Sequence, residues 1–395
     1  MNSKLEQKMK RNLKLLYILR AIRSFGVFAP VIVLFFQENG LSQTEVFALQ
    51  SIFAAAIVLL EVPSGYFADV FGRRISVVLG GLFTALGFGG YALASGFAQF
   101  LPMEILIGIG LSFLSGADQA LARDSLIALS RESYYRKFES RAHELSSWSS
   151  ALAALTGGFI ALISLQSVIV AQAIVTALLV PFSLLIIEPP RTKPTGKNPW
   201  KQVKKIVRYS LREHQQLKWL IAYGAVVTTL THTMFWLTQP LFEQVGVPLG
   251  WFGALTALLF VSQGLSAKVS IWYEQKLGKR RALKSFVLIG TVSYVLIGAF
   301  TLVWMLPVLL GFQFIRGAAM PVMSDYVHEH VESDIRATVM SVNSLASKLF
   351  YTFAGPVVGL VVDNYSLSAG LWFSALLYGT LGWFVLSRMN RNGDL

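Results

Sequence analysis

A handful of polar side chains stand inside stretches that are otherwise apolar, and these are where the chain could do chemistry. In the first half they are Arg20, Arg23, Glu61 and Asp118. In the second half they are His232, Trp236, Gln239, Gln263, Arg316, Asn343 and Lys348. A charged group at the centre of a membrane helix costs about 2.5–3.5 kcal/mol on insertion scales, so each needs a partner or a water-filled cavity. Such groups suit three tasks: gripping a polar solute, passing a proton, or tying helices together by ion pairs. They do not suit covalent catalysis. There is no Cys, and Gly80, Gly81, Gly87, Gly89 and Gly90 follow no strand, so they read as helix-packing positions and not as a phosphate loop.

Spacing sharpens this. Arg20 and Arg23 are three residues apart on one helical face. With Glu61 and Asp118 they are expected at similar depth in one network, either a structural salt-bridge cluster or a proton or substrate site. Arg316 and Lys348 fall near mid-span with no acid of the second half at matching depth, which favours a cavity wall. Lys268, closer to a helix end, is expected to snorkel. His232, Trp236 and Gln239 share a face beside Pro240, and Gln263 and Asn343 are similar candidates. These cations outnumber the deep acids Glu61 and Asp118, which points to an anionic or zwitterionic cargo. The adjacent trio His328-Glu329-His330 makes a poor metal site, and no metal is expected.

The elements that position these residues follow from composition. Of 395 residues, 54% are hydrophobic and 14% charged, far from the usage of a soluble domain. Twelve apolar segments of membrane-spanning length are predicted, over 14–37, 43–69, 75–97, 101–124, 141–163, 166–188, 217–242, 249–274, 283–301, 303–326, 335–362 and 366–388. The first leads straight into a second span and reads as a retained helix rather than a leader. Of the 34 Lys and Arg, all but Arg20, Arg23, Lys268, Arg316 and Lys348 fall at the termini or in every second loop. The alternate loops carry acids such as Glu38, Glu243 and Asp363. The positive-inside rule then places both termini in the cytoplasm. The net charge of +13 is thus a topological signal that calls for no nucleic acid.

The chain also repeats itself. Phe36-Gln37-Glu38-Asn39-Gly40-Leu41 aligns with Phe242-Glu243-Gln244-Val245-Gly246-Val247, and Gly72-Arg73-Arg74 with Gly278-Lys279-Arg280, both at an offset of 206. Gly116-Ala117 and Asp124 align with Gly317-Ala318 and Asp325 at an offset of 201. The predicted organisation is a bundle over 1–188, a cytoplasmic linker over 189–216 and a second bundle over 217–395. The linker carries an amphipathic helix from about Trp200.

Gly65-Tyr66-Phe67-Ala68-Asp69-Val70-Phe71-Gly72-Arg73-Arg74 lies between the second and third segments. It resembles the G-x-x-x-D-x-x-G-R-[RK] signature of the major facilitator superfamily. That resemblance implies an all-α membrane protein of twelve transmembrane helices in two six-helix parallel repeats. It also implies a gating role for Gly65, Asp69, Gly72, Arg73, Arg74 and Asp124, with Asp69 meeting the eleventh helix when the cytoplasmic side is closed. Val70 departs from the signature, and the second copy is degraded, with Gln275 at the place of Asp69. Two features typical of proton-coupled drug exporters are weakened. Ser112 stands where they carry a helix 4 Arg, and Ala153-Ala154-Leu155-Thr156-Gly157-Gly158 keeps only the final glycines of their helix 5 motif. Gly355-Pro356-Val357-Val358-Gly359, in the eleventh segment, preserves its counterpart better.

The expected function is therefore secondary transport of a small organic solute by alternating access. Glu61-Val62-Pro63-Ser64-Gly65 resembles efflux-type members, which favours proton-coupled export of a drug or metabolite. The alternatives are uptake of an organic anion, a lipid or lysolipid flippase on the same scaffold, and a transporter-like receptor without flux. The resemblance implies no enzyme activity and no cofactor beyond a proton gradient. It implies a monomer in the plasma membrane, the inner membrane of a bacterium, whose partners are a small-molecule substrate and the lipid bilayer.

Overall fold

The computed structural model describes residues 3–190, 208, 214–330 and 336–391, and among these every regular element is helical. The first half holds α1 (Ser3–Ser24), α2 (Ile32–Glu38), α3 (Gln43–Phe71), α4 (Arg73–Tyr91), α5 (Phe97–Leu114), α6 (Ala117–Ala128), α7 (Tyr135–Ala161), α8 (Leu165–Ala177) and α9 (Leu179–Leu184). The second holds α10 (Gln215–Gln244), α11 (Leu249–Leu277), α12 (Lys279–Ala299), α13 (Leu309–His330), α14 (Arg336–Asn364) and α15 (Leu367–Arg391).

Ten helical segments of the described residues are long and apolar enough to cross a membrane. The first and fifth expected spans are not among them, for separate reasons. The first is split into α1 and α2 by irregular backbone around Gly26 and Pro30. The fifth, α7, opens with the polar run Tyr135-Arg136-Lys137-Phe138-Glu139. The expected 101–124 segment is also divided, at Ser115-Gly116, where Gly116 takes a φ of +76°. Most of the expected linker helix lies outside the described residues.

A break at membrane depth is tolerated only where its freed backbone groups find partners. Here two buried glutamines supply them. Gln172 accepts from the Val27 amide at 2.8 Å. Gln239 accepts from the Val33 amide at 2.7 Å and donates to the Ala29 carbonyl at 2.9 Å. A similar repair serves α10, which runs unbroken through Pro240. Proline has no N–H for the carbonyl four residues back, and that carbonyl, of Trp236, accepts from Gln43 Nε2 at 3.3 Å instead.

The internal repeat survives in backbone geometry. Gly40 and Gly246 take φ of +86° and +76°. Each closes a helix with paired bonds, Leu41 N to Phe36 O and Gly40 N to Gln37 O, then Val247 N to Phe242 O and Gly246 N to Glu243 O. That is the Schellman arrangement, which needs a left-handed residue. Gly72 and Gly278 likewise join consecutive helices at positive φ. The repeat fails at Gly116, whose counterpart Gly317 continues within α13.

The two halves meet along α3 against α14 and α7 against α11. Contact is tightest at the face opposite the termini, hereafter the far face. A Cβ on Gly158 would sit 2.6 Å from the Cα of Gly253, and one on Gly359 would sit 2.7 Å from the Cα of Thr44. Small residues allow this backbone approach, as they do between membrane helices generally. Asp363, at the end of α14, accepts from the Gln43 and Thr44 amides at 3.0 and 2.7 Å and from the Thr44 hydroxyl. One apolar core therefore joins both halves at the far face and continues through the second half to Leu217, Leu283 and Met389. A separate cluster around Leu16, Leu121 and Phe138 lies within the first half, toward the termini.

Gly158→Val should wedge the far face open, because no rotamer removes a Cβ placed against backbone. With spin labels on cysteines at the exposed positions Ser164 and Glu243 in the otherwise cysteine-free chain, the label-to-label distance should lengthen by several ångströms. An unchanged distance distribution would mean that this contact does not hold the halves together.

Candidate functional site

Three polar constellations emerge, and they divide the expected residues differently from their sequence grouping. The first ties the first half together. Arg20 Nε donates to Asp118 at 3.1 Å, while its two terminal nitrogens grip Glu139 at 2.7 and 2.9 Å in a bidentate pair. Arg23 reaches the same Asp118 oxygen at 3.2 Å. Asp118 gains this position from the break at Gly116, which starts α6 one residue before it. Glu139 was not visible as a partner in the sequence, because it lies in the polar opening of α7.

Glu61 does not belong to that network. It pairs across the halves with Lys348 at 3.4 Å, and Lys348 also donates to Ser344 at 3.1 Å. The bundle-to-bundle partner explains why no acid of the second half is needed at this depth.

The second constellation is a central cavity between the halves, in two adjoining lobes of about 260 Å³ each that share Gln50, Phe53 and His232. One lobe is walled by α3, α10, α13 and α14, with Asn343, Lys348 and Tyr351 as its polar lining. The other enters the first half, where Arg23, Glu104 and Gln172 face it beside Phe28, Phe88 and Tyr91. Glu104 is an acid that sequence reading passed over. The fourth span was expected from residue 101, which put Glu104 at its edge. In the structure α5 begins at Phe97, so Glu104 lies two turns in, 4% exposed, with Gln50 Nε2 donating to it at 2.5 Å.

In the second half, Trp236 Nε1 donates to His232 Nε2 at 3.3 Å. That bond requires an unprotonated Nε2, so the imidazole is neutral with its proton on Nδ1. His232 packs on Tyr351 and Phe235, ring centroids 4.6 and 6.4 Å away. Arg316 lies over Phe235, 5.5 Å from the ring centroid. Gln239 is occupied by the break in the first span, as described above. Gln263 offers its backbone carbonyl to the close approach of Gly317, joining α11 to α13.

The third constellation is the loop between α3 and α4. Arg73 is ion-paired with Asp124, donates to the Ala120 carbonyl at 3.0 Å and reaches Asp69 at 3.8 Å. Glu188 caps α4 by accepting from the Arg73 and Arg74 amides at 3.0 and 2.8 Å, a favourable place for a carboxylate at a helix N-terminus. Gly72 takes a φ of +128° to make this turn. Arg74 donates to the Leu184 carbonyl at 2.9 Å. Nothing lies within 4 Å of where a Gly65 Cβ would be, so that glycine makes no close approach in this conformation.

The comparisons agree with this architecture. The chain is 20% identical over 372 residues to the uncharacterized MFS-type transporter YxaM of Bacillus subtilis (strain 168), covering 90% of this chain and 91% of that one. Among solved structures, nucleoside transporter NupG superposes with a TM-score of 0.75 at 13% identity, covering 98% of this chain and 99% of that one. A D-xylose-proton symporter does so with a TM-score of 0.70 at 18% identity, covering 95% of each chain. A bacterial homolog of the human lysosomal transporter Spinster, in an inward-facing and unoccupied conformation, gives 0.72 at 16% identity, covering 98% of this chain and 97% of that one. At these identities the structural likeness speaks for the fold alone. Family membership rests on residues 16–351, which match the Major Facilitator Superfamily profile: the chain belongs to that superfamily of membrane transporters, and it is not an enzyme.

Proposed function

We propose that this secondary transporter couples proton movement to export of a small organic solute, and that the present conformation is open to the cytoplasm. The observation that carries the reading is the central cavity, walled by both halves and shut at the far face by Gly158 on Gly253 and by Asp363 on the start of α3. A site shared by two bodies and closed at one end changes sides when they rock. The moving bodies are residues 1–188 and 217–395, joined by the linker over 189–216. The first span counts as α1 with α2 and the fifth as α7, which restores twelve spans and puts both termini on one side. The basic residues of that face make it cytoplasmic. Export rests on the resemblance of Glu61-Val62-Pro63-Ser64-Gly65 to efflux-type members. The inward-facing Spinster homolog supports the assignment of state.

Glu104 is the residue that fits the proton site. It faces the cavity, and Gln50 holds it without any ion pair among the described residues. A carboxyl without a fixed counter-charge can take up and release a proton as access changes. Asp118 is held by two guanidinium groups and serves structure. Asp69 and Arg73 act as a gate on the cytoplasmic side, with Asp69 favouring the state in which that side is closed.

A second reading draws on another feature. A groove of about 310 Å³ opens between α7 and α11, lined by Trp148, Phe260 and Leu265 with Glu144, His143 and Lys268. Apolar walls with charged groups suit an amphiphile entering from the side, as in a flippase. Movement of a fluorescent lysolipid in proteoliposomes without small-solute flux would select that reading.

Three outcomes follow. Cysteines at Ser133 and Ser95 should label with impermeant maleimide from opposite sides of the membrane, Ser133 only from the cytoplasm; the reverse pattern overturns the orientation. Glu104→Gln should abolish accumulation driven by a pH gradient in proteoliposomes while sparing exchange of cargo down its own gradient. Normal pH-driven accumulation in that variant removes Glu104 from coupling. Asp118→Asn, by contrast, should lower the melting temperature and impair both transport modes, since breaking a buried ion pair costs about 3–5 kcal/mol.

A further inference from the structure

The second half contains donors that no described residue uses, and they gather around His232. Arg316 Nη1 is buried and makes no hydrogen bond among the described residues, and no described carboxylate pairs with the guanidinium. Its recorded contact is the face of Phe235, which lines the cavity with His232. The Tyr351 hydroxyl is buried and unpartnered among the described residues as well, on a side chain that lines the cavity and packs on His232. The imidazole itself bears its proton on Nδ1, because Nε2 accepts from Trp236.

A guanidinium kept in an apolar bundle without a counter-ion is costly, and the other deep cations show the usual remedy. Arg20 and Arg23 have Asp118, and Lys348 has Glu61. Arg316 lacks one. We propose that the transported solute supplies the missing charge: a small organic acid, anionic or zwitterionic, whose carboxylate reaches past Phe235 to Arg316, with the Tyr351 hydroxyl as a second donor, and whose apolar body lies against Phe53, Phe235 and Trp236. The guanidinium offers paired N–H donors in the plane that a carboxylate needs. Lys348 lines the cavity too but is already engaged by Glu61, so it is not a free ligand. This names the cargo class of the site proposed above and rests on that reading for transport, though binding can be measured without it.

The test uses the full-length protein in detergent and three probes on one skeleton: phenylacetate (anion), phenylalanine (zwitterion) and phenethylamine (cation). Binding is followed by thermal shift and titration calorimetry. Phenylacetate or phenylalanine should stabilise the protein, and phenethylamine should not. Stabilisation by phenylacetate assigns a simple anion, and by phenylalanine alone a zwitterion. Arg316→Gln should weaken carboxylate binding by about 10- to 100-fold, the loss of a charged hydrogen bond. Arg316→Lys should retain more of it than Arg316→Gln. Ligand-free Arg316→Gln should melt no lower than the parent, because no ion pair is lost. The proposal is overturned if neither carboxylate binds, if phenethylamine binds best, or if Arg316→Gln leaves affinity unchanged. It is also overturned if both Arg316 variants melt well below the parent, which marks a structural arginine. Because no gradient or flux enters these measurements, a failure here leaves the transport reading to its own tests.

Discussion

Backbone lying directly on backbone at Gly158 and Gly253 is the constraint from which the rest of this conformation follows. Two helices can approach so closely only where small residues, glycine above all, stand at the contact, so the contact fixes one end of the α7–α11 seam and makes it a pivot. The Thr44–Gly359 approach does the same for α3 and α14. With both seams pinned at the far face, any separation of the halves must widen toward the termini. The cores agree with this. One cluster is continuous across the halves where they are pinned, and the cluster nearer the termini belongs to the first half alone. The cavity lies between the halves on the terminal side of the pinned contacts.

Polar residues in the bundle sort by where their partner comes from, and that sorting carries more meaning than their depth. Arg20 and Arg23 are matched within their own half, so their pairing survives any rigid-body motion. Glu61 and Lys348 are matched across the halves, so theirs depends on how the halves sit. Glu104 is held by a neutral amide, and Arg316 by an aromatic face. Glu104 faces the cavity from the first half, whereas Arg316 stands behind Phe235, which lines the cavity from the second, and neither has an ion pair among the described residues.

Much of the fold was legible from the sequence. The long apolar runs, the alternation of basic and acidic loops and the offset of 206 between the halves all reflect local or topological rules that act residue by residue. Gly72 and Gly278 were readable as turns for the same reason, since positive φ favours glycine wherever it occurs. Partnerships were less legible. Glu139 lies in a polar stretch that signals nothing, Asp363 reads as one loop acid among several, and Lys348 is 287 residues from its partner Glu61. The misplacement of Glu104 came from a boundary error of four residues, enough to turn a cavity acid into an apparent surface one. Gln239 shows the opposite failure. Its face and spacing suggested a cavity ligand, but the broken first span takes both ends of its amide.

The start of α3 has two caps of different origin. Ser42 and Glu45 satisfy each other's amides in a capping box that belongs to the helix itself, whereas Asp363 serves the next two amides from across the seam. When the far face parts, only the borrowed cap is withdrawn, and it is withdrawn at a water-facing edge where solvent replaces it bond for bond. The helix keeps its own cap and does not fray. A latch of this design carries little enthalpic bias between its engaged and released forms, so in the transport cycle proposed above the bias must come from elsewhere, such as an occupant of the cavity.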